Sequence, residues 1–228
     1  MNKKSQFDII INYLKTSSEL KKFKYYDNFI KKWKKILRYY FENDFIFIQE
    51  DISDSDQFYH YEYQLLDTIF EFDFSIKFIR YLFYKNSRLF PIIELNYTDC
   101  RLMYDDTDCI YTYYDSAECK EEYSDIENIF VIPFPTNPLT HIVIDGNHRV
   151  SSLINAGCTH IKARYCSFEI CERALFSAFY IAVYSCIFDC SFIKYNINKI
   201  TDLQIKKHLK IFNEHSFVNN IDKRKLLD

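Results

Sequence analysis

The stretch HIVIDGNHRVSSLINAGCTHIKARYC, running from His141 to Cys166, decides the fold. Of 228 residues only Gly146 and Gly157 are glycine, and both lie here. A chain that avoids glycine elsewhere keeps it where the backbone needs conformations closed to other residues. Ile142, Val143 and Ile144 form a continuous apolar run that reads as a buried strand, and Asp145-Gly146 supplies a sharp turn. Val150, Leu153 and Ile154 follow at the spacing of a helix face, with Gly157 placed as a left-handed C-terminal cap. From His160 the period becomes two: Ile161, Ala163 and Tyr165 share one face, and His160, Lys162 and Arg164 the other. The pattern predicts strand, tight turn, helix, strand.

Chemistry gathers at the turn. In a helix starting near Asn147, the first-turn N–H groups point out of the N-terminus, where the dipole also favours an anion. Asn147, His148 and Arg149 put a neutral donor, an imidazole and a planar cation in that turn, and Ser151 and Ser152 add hydroxyls one turn on. Arginine offers phosphate a bidentate fork, so the set suits phosphate groups. The plainer alternative is a solvated first turn of an ordinary α/β unit.

At Asp145, Gly146, Asn147, His148 and Arg149, then Ala156-Gly157 and Ile161 to Arg164, the sequence resembles the ParB/sulfiredoxin-like superfamily. The resemblance is strong over about 26 residues within His141–Cys166. It implies a turn that binds nucleotide phosphates: CTP in partitioning proteins, ATP in sulfiredoxins, ADP or ATP in a free-serine-kinase branch. The D-G-x-H-R form looks most like that kinase branch. Asn147 stands where sulfiredoxins carry their catalytic cysteine, so the resemblance does not imply their redox repair. His148 stands where partitioning proteins carry a second arginine. The implied cofactor is a nucleotide (ATP/ADP or CTP) with Mg²⁺, and the implied catalytic residues are Asp145, His148 and Arg149. Gly146, Asn147, His148, Arg149, Ser151 and Ser152 would bind the nucleotide.

With two glycines, the chain has no Rossmann G-x-G-x-x-G, P-loop or nucleophile elbow. Its length and 48% apolar content are enough for a real core. A net charge of −3 gives no global case for a nucleic-acid or anionic-membrane partner. The 22 Phe and 20 Tyr read mainly as core and half-buried surface. Eight cysteines without an N-terminal secretory signal point to reduced thiols in a cytoplasmic protein. Cys166 with Cys171, or Cys186 with Cys190, near Cys158 and His160, lack the paired spacings of structural zinc, so no resident metal site is expected.

Taken in order, a helix is expected over Phe7–Leu14 and a longer one over Glu19–Phe41, preceded by Ser17-Ser18 as N-cap. Residues 1–38 hold eleven Lys or Arg against Asp8, Glu19 and Asp27, so the Lys-rich helix 19–41 is either a solvated face or a nucleic-acid contact. A third helix is expected over Phe58–Tyr84, on a stripe of Leu65, Leu66, Ile69, Phe72, Ile76, Ile79 and Phe83. Leu89–Leu95 and Asn128–Phe134 read as strands. Pro133, Pro135 and Pro138 are expected to form a stiff connection into the signature strand. Between the strands, Asp105–Glu127 carries nine carboxylates against Lys120 alone, and one of them is a candidate Mg²⁺ ligand or general base. Glu169–Phe188 reads as one buried helix, too short for a bilayer span, and Asp202–Glu214 as the last helix.

These expectations combine into an α+β fold: a small mixed sheet carrying a strand-turn-helix-strand phosphate-binding unit, with aromatic-rich helices. Residues 1–88 would be a helical N-terminal extension packed on the core, and 89–228 the ParB/sulfiredoxin-like core with C-terminal helices, the two expected to form one compact unit. The expected function is nucleotide binding with hydrolysis or transfer of phosphate to a small-molecule or protein acceptor. Two alternatives stay open: a ParB-like DNA-associated adaptor or nuclease, and a non-catalytic interaction module. No transmembrane segment is expected.

Overall fold

The computed structural model describes residues 3–45, 58–65, 68–96, 98, 100–101, 129–134 and 137–220. The fold is α+β, and the chain gathers into two units, described separately. One is Met1–Asp56, His60–Phe74 and Glu172–Asp228; the other is Gln57–Tyr59 and Ser75–Cys171. These limits do not fall at residue 88.

The first unit opens with α1 (Lys3–Thr16), a short α2 (Ser18–Lys21) and α3 (Tyr26–Glu42). The expected single helix over 19–41 is thus two. Lys22 and Phe23 donate to Glu19 and Leu20 in tight i→i−3 bonds, and Phe23 turns inward at 1% exposure. Ser17 makes no side-chain capping bond; its hydroxyl goes to Glu19 instead. Phe29, Trp33, Leu37 and Tyr40 form the buried stripe of α3, leaving its lysines outside.

Residues 58–75 are not helical. They form a hairpin of β1 (Phe58–Leu65) and β2 (Thr68–Ser75). In β2, Phe70, Phe72 and Phe74 are buried while Ile69, Glu71 and Asp73 are exposed, a strict alternation that a helix cannot satisfy. Only Ile76–Lys85 of the expected helix is helical, and it is α4, in the second unit.

The expected helix over 169–188 is also divided. After a short α5 (Phe168–Ala174), Leu175 bridges to Phe74, which takes the backbone out of helix. A new helix, α6 (Ala178–Asn196), starts under a double cap. The Ser177 hydroxyl accepts from the Tyr180 N–H, and Asp44 accepts from both the Ser177 hydroxyl and the Phe179 N–H at 2.8 and 2.9 Å. By length and composition α6 could cross a bilayer, but most of it is buried in the structure and it carries Asp189. That burial makes it an inner helix. The last expected helix stops early, as α7 (Asp202–His208) with a Thr201/Gln204 capping box, followed by a 3₁₀ turn at Lys210–Phe212. The buried Asp189 carboxylate accepts the N–H groups of Lys210 and Ile211 at 2.8 and 3.0 Å, so those donors are not available to prolong α7.

In the second unit, a five-stranded mixed sheet has the order β3-β7-β5-β6-β4. Its strands are β3 (Ile92–Asn96), β4 (Cys100–Arg101), β5 (Phe130–Phe134), β6 (Asn137–Asp145) and β7 (His160–Tyr165). Pro133 and Pro138 lie within β5 and β6 rather than in a loop, and the register shifts beside Pro133/Phe134. Pro135 lies outside the described residues. The helix between β6 and β7, α8 (Asn147–Asn155), lays Val150, Leu153 and Ile154 over a cluster of Val131, Val143, Ile161 and Ala163. Phe130 faces the other way and packs edge-on against Phe83 of α4 at 5.4 Å. Phe130, Val131, Ile142 and Val143 are each no more than 1% exposed, so both faces of the strands are buried and their apolar runs are continuous.

Two substitutions test these elements. Gly157 has φ +85° with nothing within 4 Å of a built Cβ, so Gly157→Ala meets backbone strain rather than a clash. In urea unfolding it should cost roughly 1–2 kcal/mol, and Gly157→Asn less. Burial pushes the Asp189 carboxyl up to about 7, against the lowering effect of the Ile211 and Lys210 N–H groups. A raised carboxyl holds its proton more tightly folded than unfolded. Its contribution is full below about pH 4 and is lost as pH rises towards 7. Unfolding free energy should therefore fall across that interval, and Asp189→Asn should flatten that part of the profile.

Candidate functional site

The turn between β6 and α8 is built as its sequence suggests. Gly146 has φ 92° and ψ 20°, the left-handed region, and stands at the N-cap position with no side-chain capping bond. The first helical bond closes from the Val150 N–H to the Gly146 carbonyl at 3.0 Å. The N–H groups of residues 147–149 precede that bond and point out of the helix N-terminus. At the far end, Cys158 N–H reaches Leu153 O and Gly157 N–H reaches Ile154 O, both at 2.9 Å. That Schellman pair stops the helix and sends the chain into β7.

Strand register fixes where the turn sits. Ile92 pairs with Arg164, Arg164 with Phe130, and Phe130 with Asp145, so these four residues form one row across the sheet. The turn opens beyond the Asp145 end of that row. Helix α4 is held at the same row by Phe83, whose ring meets Phe90 at 5.6 Å and Phe130 at 5.4 Å, with the Arg164 guanidinium 5.1 Å from its centroid.

One helical turn before Phe83, Arg80 reaches the site. Its Nε and Nη2 both donate to Asp145 Oδ2, at 2.8 and 2.7 Å. Nothing near residue 80 in the sequence signals this. Asp145 is 13% exposed and Arg80 48% exposed, so the pair is partly shielded from water on the carboxylate side. Arg80 thereby pairs with the carboxylate of the signature turn, and Arg149 lies half-buried in the first turn of α8.

The other expected site residues are placed as follows. Gly146 and Asn147 are partly exposed at the turn. His148 occupies the second position of α8; its side chain lies outside the described part of the structure. Ser151 and Ser152 are buried at 2% and 3%, and the Ser151 hydroxyl donates back to the Asn147 carbonyl at 3.0 Å. Ser151 thus braces the first turn from inside. The acidic segment 105–127 lies outside the described residues.

The six described cysteines form no disulfide with one another. Burial pushes the Cys166 thiol well up, helped by nearby Cys171 and Asp145, and does the same to Cys186, which disfavours the thiolate of both. Among the described residues, the side chains that bring metal-ligating atoms within 4.8 Å of one another are His60, Glu62 and Glu71, all exposed on the hairpin. His60 Nδ1 lies 2.6 Å from Asp73, a hydrogen bond that, with the surrounding carboxylates, raises the imidazole pKa despite desolvation. Of that cluster, His60 pairs across the hairpin with Asp73 and lies 3.8 Å from Glu62 on its own strand.

Protein-family models, curated proteins and solved structures yield no match to this chain.

A double-mutant cycle on Arg80→Ala and Asp145→Ala should give a coupling of about 0.5–1 kcal/mol, because one partner is half exposed. That coupling should shrink as salt is raised from low ionic strength.

Proposed function

We propose that the Gly146–Arg149 turn binds the phosphate groups of a nucleotide and that the protein hydrolyses or transfers phosphate. The observation that carries this reading is the compensation of Asp145 by Arg80, with two bonds under 3 Å to one oxygen. A phosphate approaching this helix N-terminus meets an aspartate paired with Arg80, outward N–H groups and the Arg149 guanidinium. The resemblance of Asp145 to Arg149 to the ParB/sulfiredoxin-like signature supports the same reading, and its D-G-x-H-R form favours ATP or ADP with Mg²⁺ over CTP.

In this scheme Arg149 and the first-turn N–H groups stabilise charge that spreads over the phosphate oxygens. His148 binds phosphate or carries a proton at neutral pH. Asp145 would help to hold Mg²⁺, or would orient the attacking hydroxyl, through its Oδ1, since Arg80 takes Oδ2. Ser151 and Ser152 keep the first turn in place. The phosphate acceptor is a small molecule or a protein side chain.

Thermal unfolding with Mg²⁺ and ATP, ADP, CTP or GTP tests the binding step, with Arg149→Ala as the comparison. At about 100 times Kd a bound nucleotide adds roughly 2.7 kcal/mol, a rise of several degrees for a chain of this length. One nucleotide should stabilise the native chain and fail to stabilise the variant. Equal shifts in both chains, or none in the native chain, would overturn the proposal and favour a non-catalytic interaction module.

A further inference from the structure

A concave feature lies within the first unit, between α3 and the 3₁₀ turns Lys210–Phe212 and Phe217–Asn219. It is a cleft of about 360 Å³, a volume in the range of small-molecule sites. Ile36, Tyr39, Tyr40, Ile211, Val218 and Asn219 line it, with Ile211 and Val218 buried at 1% and 0% and Tyr39 46% exposed. Lys32 and Lys35, three residues apart on one face of α3 and both exposed, complete the lining.

Among the described residues, neither Lys32 nor Lys35 pairs with a carboxylate, and neither do Lys31, Lys34 or Arg38 beside them. Asp27 and Glu42 sit at the two ends of α3, and Glu214 lies between the two 3₁₀ turns. A further cation adds to the field: Lys32 and Lys206 each hold their ammonium 5.3 Å from the centroid of the same Phe212 ring. Like charges a helical turn apart, such as Lys31 with Lys35 and Lys34 with Arg38, weaken a helix. Here they border an apolar hollow, where an anion would relieve them.

We infer that this cleft binds a small phosphate monoester of an apolar alcohol. Its dianionic head lies between the Lys32 and Lys35 ammoniums, two charges against two. Its carbon body displaces water from Ile36, Ile211 and Val218 and lies along the Tyr39 ring. Lysine suits such a head, because a flexible point charge adapts to a ligand held mainly by its apolar part. The site is separate from the Gly146 turn and needs no residue of it.

Calorimetric titration of the full chain with octyl phosphate tests the inference, with octanoate, 1-octanol and inorganic phosphate as partial ligands. Octyl phosphate should bind tightest. Octanol, which lacks the head, and inorganic phosphate, which lacks the body, should each bind about tenfold or more weakly. Lys32→Gln with Lys35→Gln should weaken octyl phosphate by at least about tenfold, while Arg149→Ala leaves it unchanged. Surface Lys→Gln changes leave the core untouched, and circular dichroism verifies that fold. Equal affinity for inorganic phosphate, or no response to the lysine pair, would overturn the inference. So would displacement by oligothymidylates with affinity rising with length, which would make α3 a nucleic-acid track instead.

Discussion

Gly146 stands at a backbone angle that residues with a Cβ avoid, and the second unit is arranged around the turn it makes. A strand buried on both faces has no room for polar side chains along its length, so its chemistry must collect where it ends. Residues 142–144 are the buried part of β6, and Asp145 is the first polar residue after them. The left-handed glycine then directs the chain into α8, with the N-terminus of the helix at the sheet's end rather than over its face. The Schellman pair at Gly157 returns the chain to β7, whose register against β5 brings Arg164 level with Asp145. Two permissive backbone positions thus set both ends of the site's scaffold.

Much of this was legible because the local signals agreed. The apolar run, the Asp-Gly turn, the i, i+3, i+4 spacing, the terminal glycine and the period-two strand each predict the same unit, and each is observed. Residues 58–84 mislead because two periods coexist there. Leu65, Ile69, Phe72, Ile76 and Ile79 fit a helical stripe. Phe70-Glu71-Phe72-Asp73-Phe74 fits an alternating strand, and alternation wins up to Ser75, where the serine hydroxyl caps the Phe78 N–H and a helix begins. Arg80 is hidden for a separate reason. A residue sixty-five positions from its partner leaves no local pattern, and only the ring packing of Phe83 against Phe90 and Phe130 brings it to Asp145. The prolines mislead for a different reason: stiffness at Pro133 and Pro138 is compatible with strand as well as loop when the register shifts beside them.

The first unit relies on a different economy. Its interior is crowded with aromatic rings, including Phe72 and Phe74 edge-on to Tyr184 at 5.4 and 5.5 Å. Rings fill volume but do not specify where a backbone stops. That work falls to carboxylates. Asp44 holds the start of α6, also pairing with Lys3 at 2.8 Å, and Asp189 in the middle of α6 ends α7 by taking two N–H groups from the segment that follows. Helix boundaries expected from periodicity alone therefore run through the break before α6 and past the end of α7, since the carboxylates that set those limits are remote in sequence.

The first unit draws its strands and helices from both ends of the chain, with the second unit's sequence lying between. On a ribosome the order of appearance then matters. Helix α3 emerges early, with Phe29, Trp33, Leu37 and Tyr40 forming an apolar stripe, while α6, whose Phe179 meets Phe41 at 5.9 Å, is still untranslated. The second unit's strands emerge as an almost unbroken stretch and can pair before synthesis ends, whereas the first unit must hold an unfinished aromatic surface until residue 196 has left the exit tunnel. The lysines opposite that stripe make the outer face of the helix basic. Like charges there oppose association of copies whose stripe is still uncovered.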